Sequence, residues 1–143
     1  MERGEMKDLE IANIEEIAIA VSDMEKAIAL FKELFGMKFE DGWDMPNEKM
    51  EVRSERIGEV QFQLLHSTSP EGVIAKFIQN RGEGVHHIAF RVRKLEETVA
   101  RLKAKGVQFT PEVPVRKLAG DYIFIHPKSA HGVLIELIER PGN

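Results

Sequence analysis

Glu16, Gln63, His87 and Glu136 are the side chains of this sequence whose types and placing suit a chemical site. Together they offer two carboxylates, one amide and one imidazole, the donors that ligate hard or borderline divalent cations. One ring nitrogen with three side-chain oxygens leans toward Mn2+, Co2+ or Mg2+, and away from the nitrogen and sulfur set of structural zinc. The chain has no cysteine, so disulfides, thiolate metal sites and cysteine nucleophiles are excluded. Taken singly, each residue has a plain alternative, since a polar side chain near a strand end is commonly solvated or paired. The four stand out because they fall into two symmetric pairs.

The pairing comes from an internal repeat. Glu16-Ile-Ala-Ile-Ala-Val21 is echoed by His87-Ile-Ala-Phe-Arg-Val92, and Gly36 closes the segment that follows much as Gly106 closes its counterpart. Ile17, Ile19 and Val21 alternate with small residues, a strand period. Met24, Ala27, Ile28, Phe31, Leu34 and Phe35 then recur at helical spacing. Ser22 with Glu25 reads as a capping box at the helix start, and Gly36 as the left-handed residue that ends it. In the second copy Leu95, Val99 and Leu102 form the helix face. Further strands are expected at about 37–42, 49–57 and 60–66, then at about 107–113, 121–126 and 131–139. Ser69-Pro70 followed by Val73, Ile74, Phe77 and Ile78 reads as a linker helix with Pro in its first turn.

Each copy is thus a βαβββ module, one over about 12–66 and one over about 85–139, joined by a linker helix at about 69–82. The expected fold class is α+β, with two tandem βαβββ modules paired into a curled mixed sheet enclosing a cleft, in a single domain over 1–143. A duplicated frame places Glu16 opposite His87. Gln61-Phe-Gln-Leu-Leu65 matches Leu134-Ile-Glu-Leu-Ile138, placing Gln63 opposite Glu136. His86 points to the other sheet face and reads as structural.

Composition bounds the partners. With 143 residues, 43% of them hydrophobic and 31% charged, the chain can bury a proper core without staples. Twenty basic against 24 acidic residues give a net charge of −4, which argues against nucleic-acid binding. No apolar run approaches the roughly 18 residues of a membrane span. The start, Met1-Glu-Arg-Gly-Glu5, lacks the apolar core of a secretion signal, so a cytoplasmic location is expected.

The duplicated arrangement resembles the vicinal-oxygen-chelate superfamily (the glyoxalase I-like fold), and within it the methylmalonyl-CoA epimerases over about 14–139. The segments that carry the resemblance are Ser69-Pro70 with Ile74-Ala-Lys-Phe77, Gly82-Glu-Gly-Val-His-His-Ile-Ala-Phe90, His126-Pro-Lys-Ser129 and Gly132-Val-Leu-Ile-Glu-Leu137. The resemblance implies a divalent metal, often cobalt, chelating the thioester and carboxylate oxygens of an acyl-CoA. The family's ligands fall on Gln63, His87 and Glu136; its fourth, a histidine opening the first strand, is replaced here by Glu16. It further implies two carboxyl groups exchanging a proton at the carbon next to the thioester. Glu136 is one. The second follows a proline, where an ungapped count from Gln63 reaches Asn47 and a one-residue shift reaches Glu48; Glu48 is taken. Lys128 and Lys117 are candidates for the CoA moiety, with ordinary surface cations as the alternative reading. A homodimer is expected from the relatives. Competing functions are a glyoxalase-like isomerase or lyase, a dioxygenase (disfavoured by a single clear histidine ligand), and a metal-free binding module, for which Glu16 and Asn47 speak.

Overall fold

The computed structural model describes residues 10–142, which leaves the Met1–Glu5 start outside the described residues. The described residues form eight strands and three α-helices and fall into two compact units, one running Glu16–His86, the other joining residues 10–15 to 87–142. The strand order is β2-β3-β4-β1 in the first unit and β5-β8-β7-β6 in the second, with parallel and antiparallel pairs in each.

In the first unit, strand β1 (Ile11–Ala20), whose first five residues belong to the second unit, leads into helix α1 (Met24–Phe35), then β2 (Asp41–Met45), β3 (Met50–Ile57), β4 (Val60–Ser67) and helix α2 (Val73–Arg81). β4 returns parallel to β1, with Ala18 opposite Gln63 and Ala20 opposite Leu65, while β3 runs antiparallel to β4. Because successive side chains alternate across a strand, this register sorts the sheet into two faces. On one, Ile19, Val21, Phe62 and Leu64 pack with Met24, Phe31 and Phe39 beneath α1. On the other, Ala18, Ala20, Val52 and Leu65 pack with Ile74 of α2, and the same face carries Glu16, Gln63 and Ser54.

The second unit repeats the plan: β5 (Gly84–Val92), whose first three residues belong to the first unit, then helix α3 (Leu95–Ala104), β6 (Phe109–Val115), β7 (Asp121–Ile125) and β8 (Ile135–Glu139). β8 lies parallel to β5, with Ala89 opposite Glu136. Val92, Ile123, Ile125 and Leu137 pack with Leu95 and Val99 of α3. His87, Ala89, Phe124 and Glu136 share the opposite face.

Several local expectations are corrected. Asp23, not Ser22, caps α1, its carboxylate accepting from the Lys26 N–H at 3.0 Å. Ser22 is drawn away by a distant partner, donating from both N–H and Oγ to Glu83 Oε2. Gly36 ends the helix in the left-handed conformation as expected (φ 70°). The first helix's apolar stripe is incompletely used, since Leu34 and Phe35 are exposed. The strand expected at 37–42 forms only from Asp41, because Phe39 turns to φ 50° with its N–H held by Glu55. The strand expected at 107–113 runs Phe109–Val115, and that at 131–139 begins only at Ile135, after a turn with His131 at φ 55°. Pro70 lies in the turn before α2, whose N-cap is Gly72.

Candidate metal centre

The site is built by the two equivalent strand pairs. In the first unit Glu16 lies two residues before Ala18 on β1, and Ala18 is the Cα partner of Gln63. In the second, His87 lies two residues before Ala89 on β5, and Ala89 is the Cα partner of Glu136. The same offset therefore sets Glu16 on the face of Gln63 and His87 on the face of Glu136. A two-residue step and one strand spacing separate the Cα atoms of each pair by about 8 Å, within side-chain reach.

All four are buried: Gln63 is 3% exposed, Glu136 7%, Glu16 8% and His87 8%. His87 Nε2 lies 3.5 Å from Glu136 Oε1. Glu16, the residue next along β1 from Glu15, offers a carboxylate on the face of Gln63 in the first unit. Buried charge demands a partner or a coordinated ion. By type, the buried carboxylates of Glu16 and Glu136, the Gln63 amide and the His87 imidazole are therefore a fitting donor set for a divalent cation. The His87 ring is further steadied by Phe124, whose ring meets it edge-on at 5.8 Å between centroids, and Tyr122 stands edge-on to Phe124 in turn.

The other candidates stand apart from this group. Glu48 is exposed, in a 3₁₀ turn (Pro46–Glu48) joining β2 to β3. That turn follows the Met45–Met50 pair, and Met50 is level with Ser67, four residues along β4 from Gln63, or about 13 Å of strand rise. Asn47 shares the turn and is exposed too. Lys117 is exposed in the loop before β7, its carbonyl accepting from Gly120. Lys128 is exposed in the 3₁₀ turn (Pro127–Ser129), where its N–H donates to His126 Nδ1. His86 packs its ring edge-on against Phe77 of α2, 4.9 Å away.

Three polar or aromatic neighbours escaped the sequence reading. Ser54, 2% exposed, is the Cα partner of Gln63 across β3 and β4. Gln61 accepts from the Gln63 amide nitrogen at 2.6 Å. Phe124 abuts His87. The Gln61 and Phe124 contacts share one legible signal, the two-residue strand period, which sets Gln61 on the face of Gln63 and leaves Phe124 as the cross-strand partner of Glu136. Glu15, on the neighbouring position of β1, is a different matter: its buried carboxylate takes Arg140 Nε at 2.9 Å and has Arg91 Nη1 at 3.9 Å, a charge pair complete within its own unit.

A duplicated βαβββ frame carrying a buried set of oxygen and nitrogen donors defines an α+β protein of the vicinal-oxygen-chelate kind, with a candidate metal centre. Comparison with known proteins makes the assignment specific: the chain belongs to the Glyoxalase/Bleomycin resistance protein/Dioxygenase superfamily, whose family model matches residues 13–137. Among curated proteins it is 33% identical over 129 residues to methylmalonyl-CoA epimerase, mitochondrial, of Homo sapiens, covering 89% of this chain and 73% of that one. Among solved structures, methylmalonyl-CoA epimerase from Mycobacterium tuberculosis superposes with a TM-score of 0.80 at 32% identity, covering 91% of this chain and 89% of that chain. A Streptomyces coelicolor methylmalonyl-CoA epimerase variant in complex with 2-nitronate-propionyl-CoA gives a TM-score of 0.82 at 27% identity, covering 93% and 97%. Among the described residues no helix is long and apolar enough to cross a membrane.

Proposed function

We propose that this protein is a divalent-metal-dependent epimerase of methylmalonyl-CoA, or of an acyl-CoA closely like it. The observation that carries the reading is the buried His87 and Glu136, 3.5 Å apart, with buried Glu16 and Gln63 at the equivalent positions of the other unit, in a chain whose relatives bear that name. Glu16, Gln63, His87 and Glu136 are the residues that hold the ion, with Co2+ the leading candidate and Mn2+ or Mg2+ the alternatives. When bound, the ion supplies positive charge to the oxygen on which an enolate's charge develops.

The chain's own residues do the rest. The carbon between a thioester and a carboxylate is a weak acid, and inverting it requires removing a proton from one face and returning one to the other. Glu136, poorly exposed and held on β8 by its pairing with Ala89 and Phe124, is positioned as the base. The strand backbone fixes its direction, which keeps the proton transfer to one face. Glu48 is assigned the proton on the opposite face, reaching from its turn. Lys128 and Lys117 are assigned to the phosphates of the CoA moiety, where exposed cations suit an exposed anion. The working unit is a homodimer.

The test is solvent exchange. Purified protein stripped of metal and reloaded with Co2+ or Mn2+ is mixed with methylmalonyl-CoA in D2O, and deuterium at the α-carbon is followed by mass spectrometry. Exchange that depends on the ion supports the reading, and Glu136→Gln should lower it by about 100- to 10,000-fold. Ion-independent exchange, no exchange with any divalent ion, or normal exchange in Glu136→Gln overturns it.

A further inference from the structure

An amide is an ambiguous ligand. Its oxygen can coordinate a cation and its NH2 cannot, yet the two ends have nearly the same shape. Gln63 presents this problem, being 3% exposed on the face of β4 that also carries Glu16's partner position. Whatever holds its nitrogen decides which end is offered.

We propose that Gln61 is a positioning residue that locks the Gln63 amide so that its oxygen faces the cation; the inference rests on the metal reading above. Gln63 Nε2 donates to Gln61 Oε1 at 2.6 Å. Both residues belong to β4 two positions apart, so they share a face without any loop or hinge between them. The nitrogen is thus turned along the strand toward Gln61, and the Gln63 oxygen, on the far side of the amide carbon, is directed away from it. Gln61 is itself the Cα partner of Glu16 on β1 and of Arg56 on β3, so it sits within the paired part of the sheet. Across the strand, buried Ser54 flanks Gln63, leaving little room for the amide to wander. Remove the acceptor and the amide is free to turn over, presenting N–H groups where an oxygen is needed. Outer partners that orient ligands in this way are typically worth 10- to 100-fold in metal affinity.

Two substitutions separate this role from simple packing. Gln61→Leu keeps the volume and removes the acceptor; Gln61→Glu keeps an oxygen that accepts from the Gln63 nitrogen. Mn2+ affinity is measured by electron paramagnetic resonance of the free ion, the visible absorption of the Co2+ form reports the ligand set, and thermal midpoints are taken in chelator. The expected result is roughly 10-fold weaker Mn2+ binding and an altered Co2+ band in Gln61→Leu, with Gln61→Glu close to the parent in both. Midpoints in chelator should stay near the parent for both variants. Parent-like Mn2+ binding by Gln61→Leu, or equal weakening in the two variants, overturns the positioning role while leaving the metal reading intact. Failure of the unsubstituted protein to bind Mn2+ or Co2+ overturns the metal reading itself, and this role with it.

Discussion

Glu16→Gln distinguishes a metal ligand from an ordinary buried carboxylate, because only a ligand makes the stability gained from an ion depend on that residue. Glu16 is less than a tenth exposed, and a neutral amide of the same shape keeps its packing while removing its charge. The same substitution removes a charged ligand and should weaken Mn2+ binding by at least about 100-fold. In the parent, Mn2+ at 100 times its dissociation constant adds about 2.7 kcal/mol to stability, a gain the variant should lose at the same concentration. Calorimetric melts of parent and variant, each in chelator and in Mn2+, give all four numbers. A variant that binds Mn2+ as well as the parent, or gains as much stability from it, refutes the reasoning, because Glu16 is then no ligand.

Two further outcomes test the frame beneath the site. Ile74 is fully buried and is the residue by which α2 enters the cluster of Ala18, Ala20, Val52 and Leu65; Ile74→Ala should cost about 3–4 kcal/mol in urea unfolding, and a loss below about 1 kcal/mol would show that α2 is held by other means. Glu55 accepts from the Lys38 and Phe39 N–H groups, and the first of these, then the second, holds its carboxyl below the ordinary value of 4.5. A group whose folded pKa is lowered contributes stability above its unfolded value and loses it as pH falls through the folded one. Glu55→Gln should therefore melt lower than the parent at pH 7, with the gap closing as pH falls below 4.5; a gap that is constant with pH contradicts the assignment.

What could be read from the amino acids alone was the periodic part. Alternation in Ile17–Val21 and in His87–Val92 predicts strands, and both segments lie in strands, β1 and β5; that β4 and β8 pair parallel to them is seen only in the structure. The same period sets Gln63 on the face of Ala18 and Glu136 on that of Ala89. Illegible were the features decided by partners distant along the chain. Ser22 and Asp23 are equally good caps locally, and only Glu83, 61 positions on, takes Ser22 out of contention. Met37–Glu40 has a strand-like pattern, but Glu55 captures the N–H groups of Lys38 and Phe39 and delays β2. Asn47 and Glu48 could not be told apart by counting, because a turn absorbs one residue without changing the faces of the strands it joins. Neither the Gln61–Gln63 hydrogen bond nor the edge contact of Phe124 on His87 has a linear signature beyond shared parity.

The turn that bears Glu48 is moored at its exit. The Lys49 carbonyl accepts from the Thr68 N–H at 2.8 Å, and Lys49 itself holds a left-handed backbone at φ 53°. A Cβ added to Gly72 would come within 2.4 Å of Ser67 Oγ and 3.0 Å of that same Lys49 oxygen, while Ser67 Oγ also accepts from Ala75 at the head of α2. A bare α-carbon thus lets the β2–β3 hairpin, the end of β4 and the first turn of α2 be knotted at one point. Whatever Glu48 does, it does from a turn tied at this point to β4 and α2.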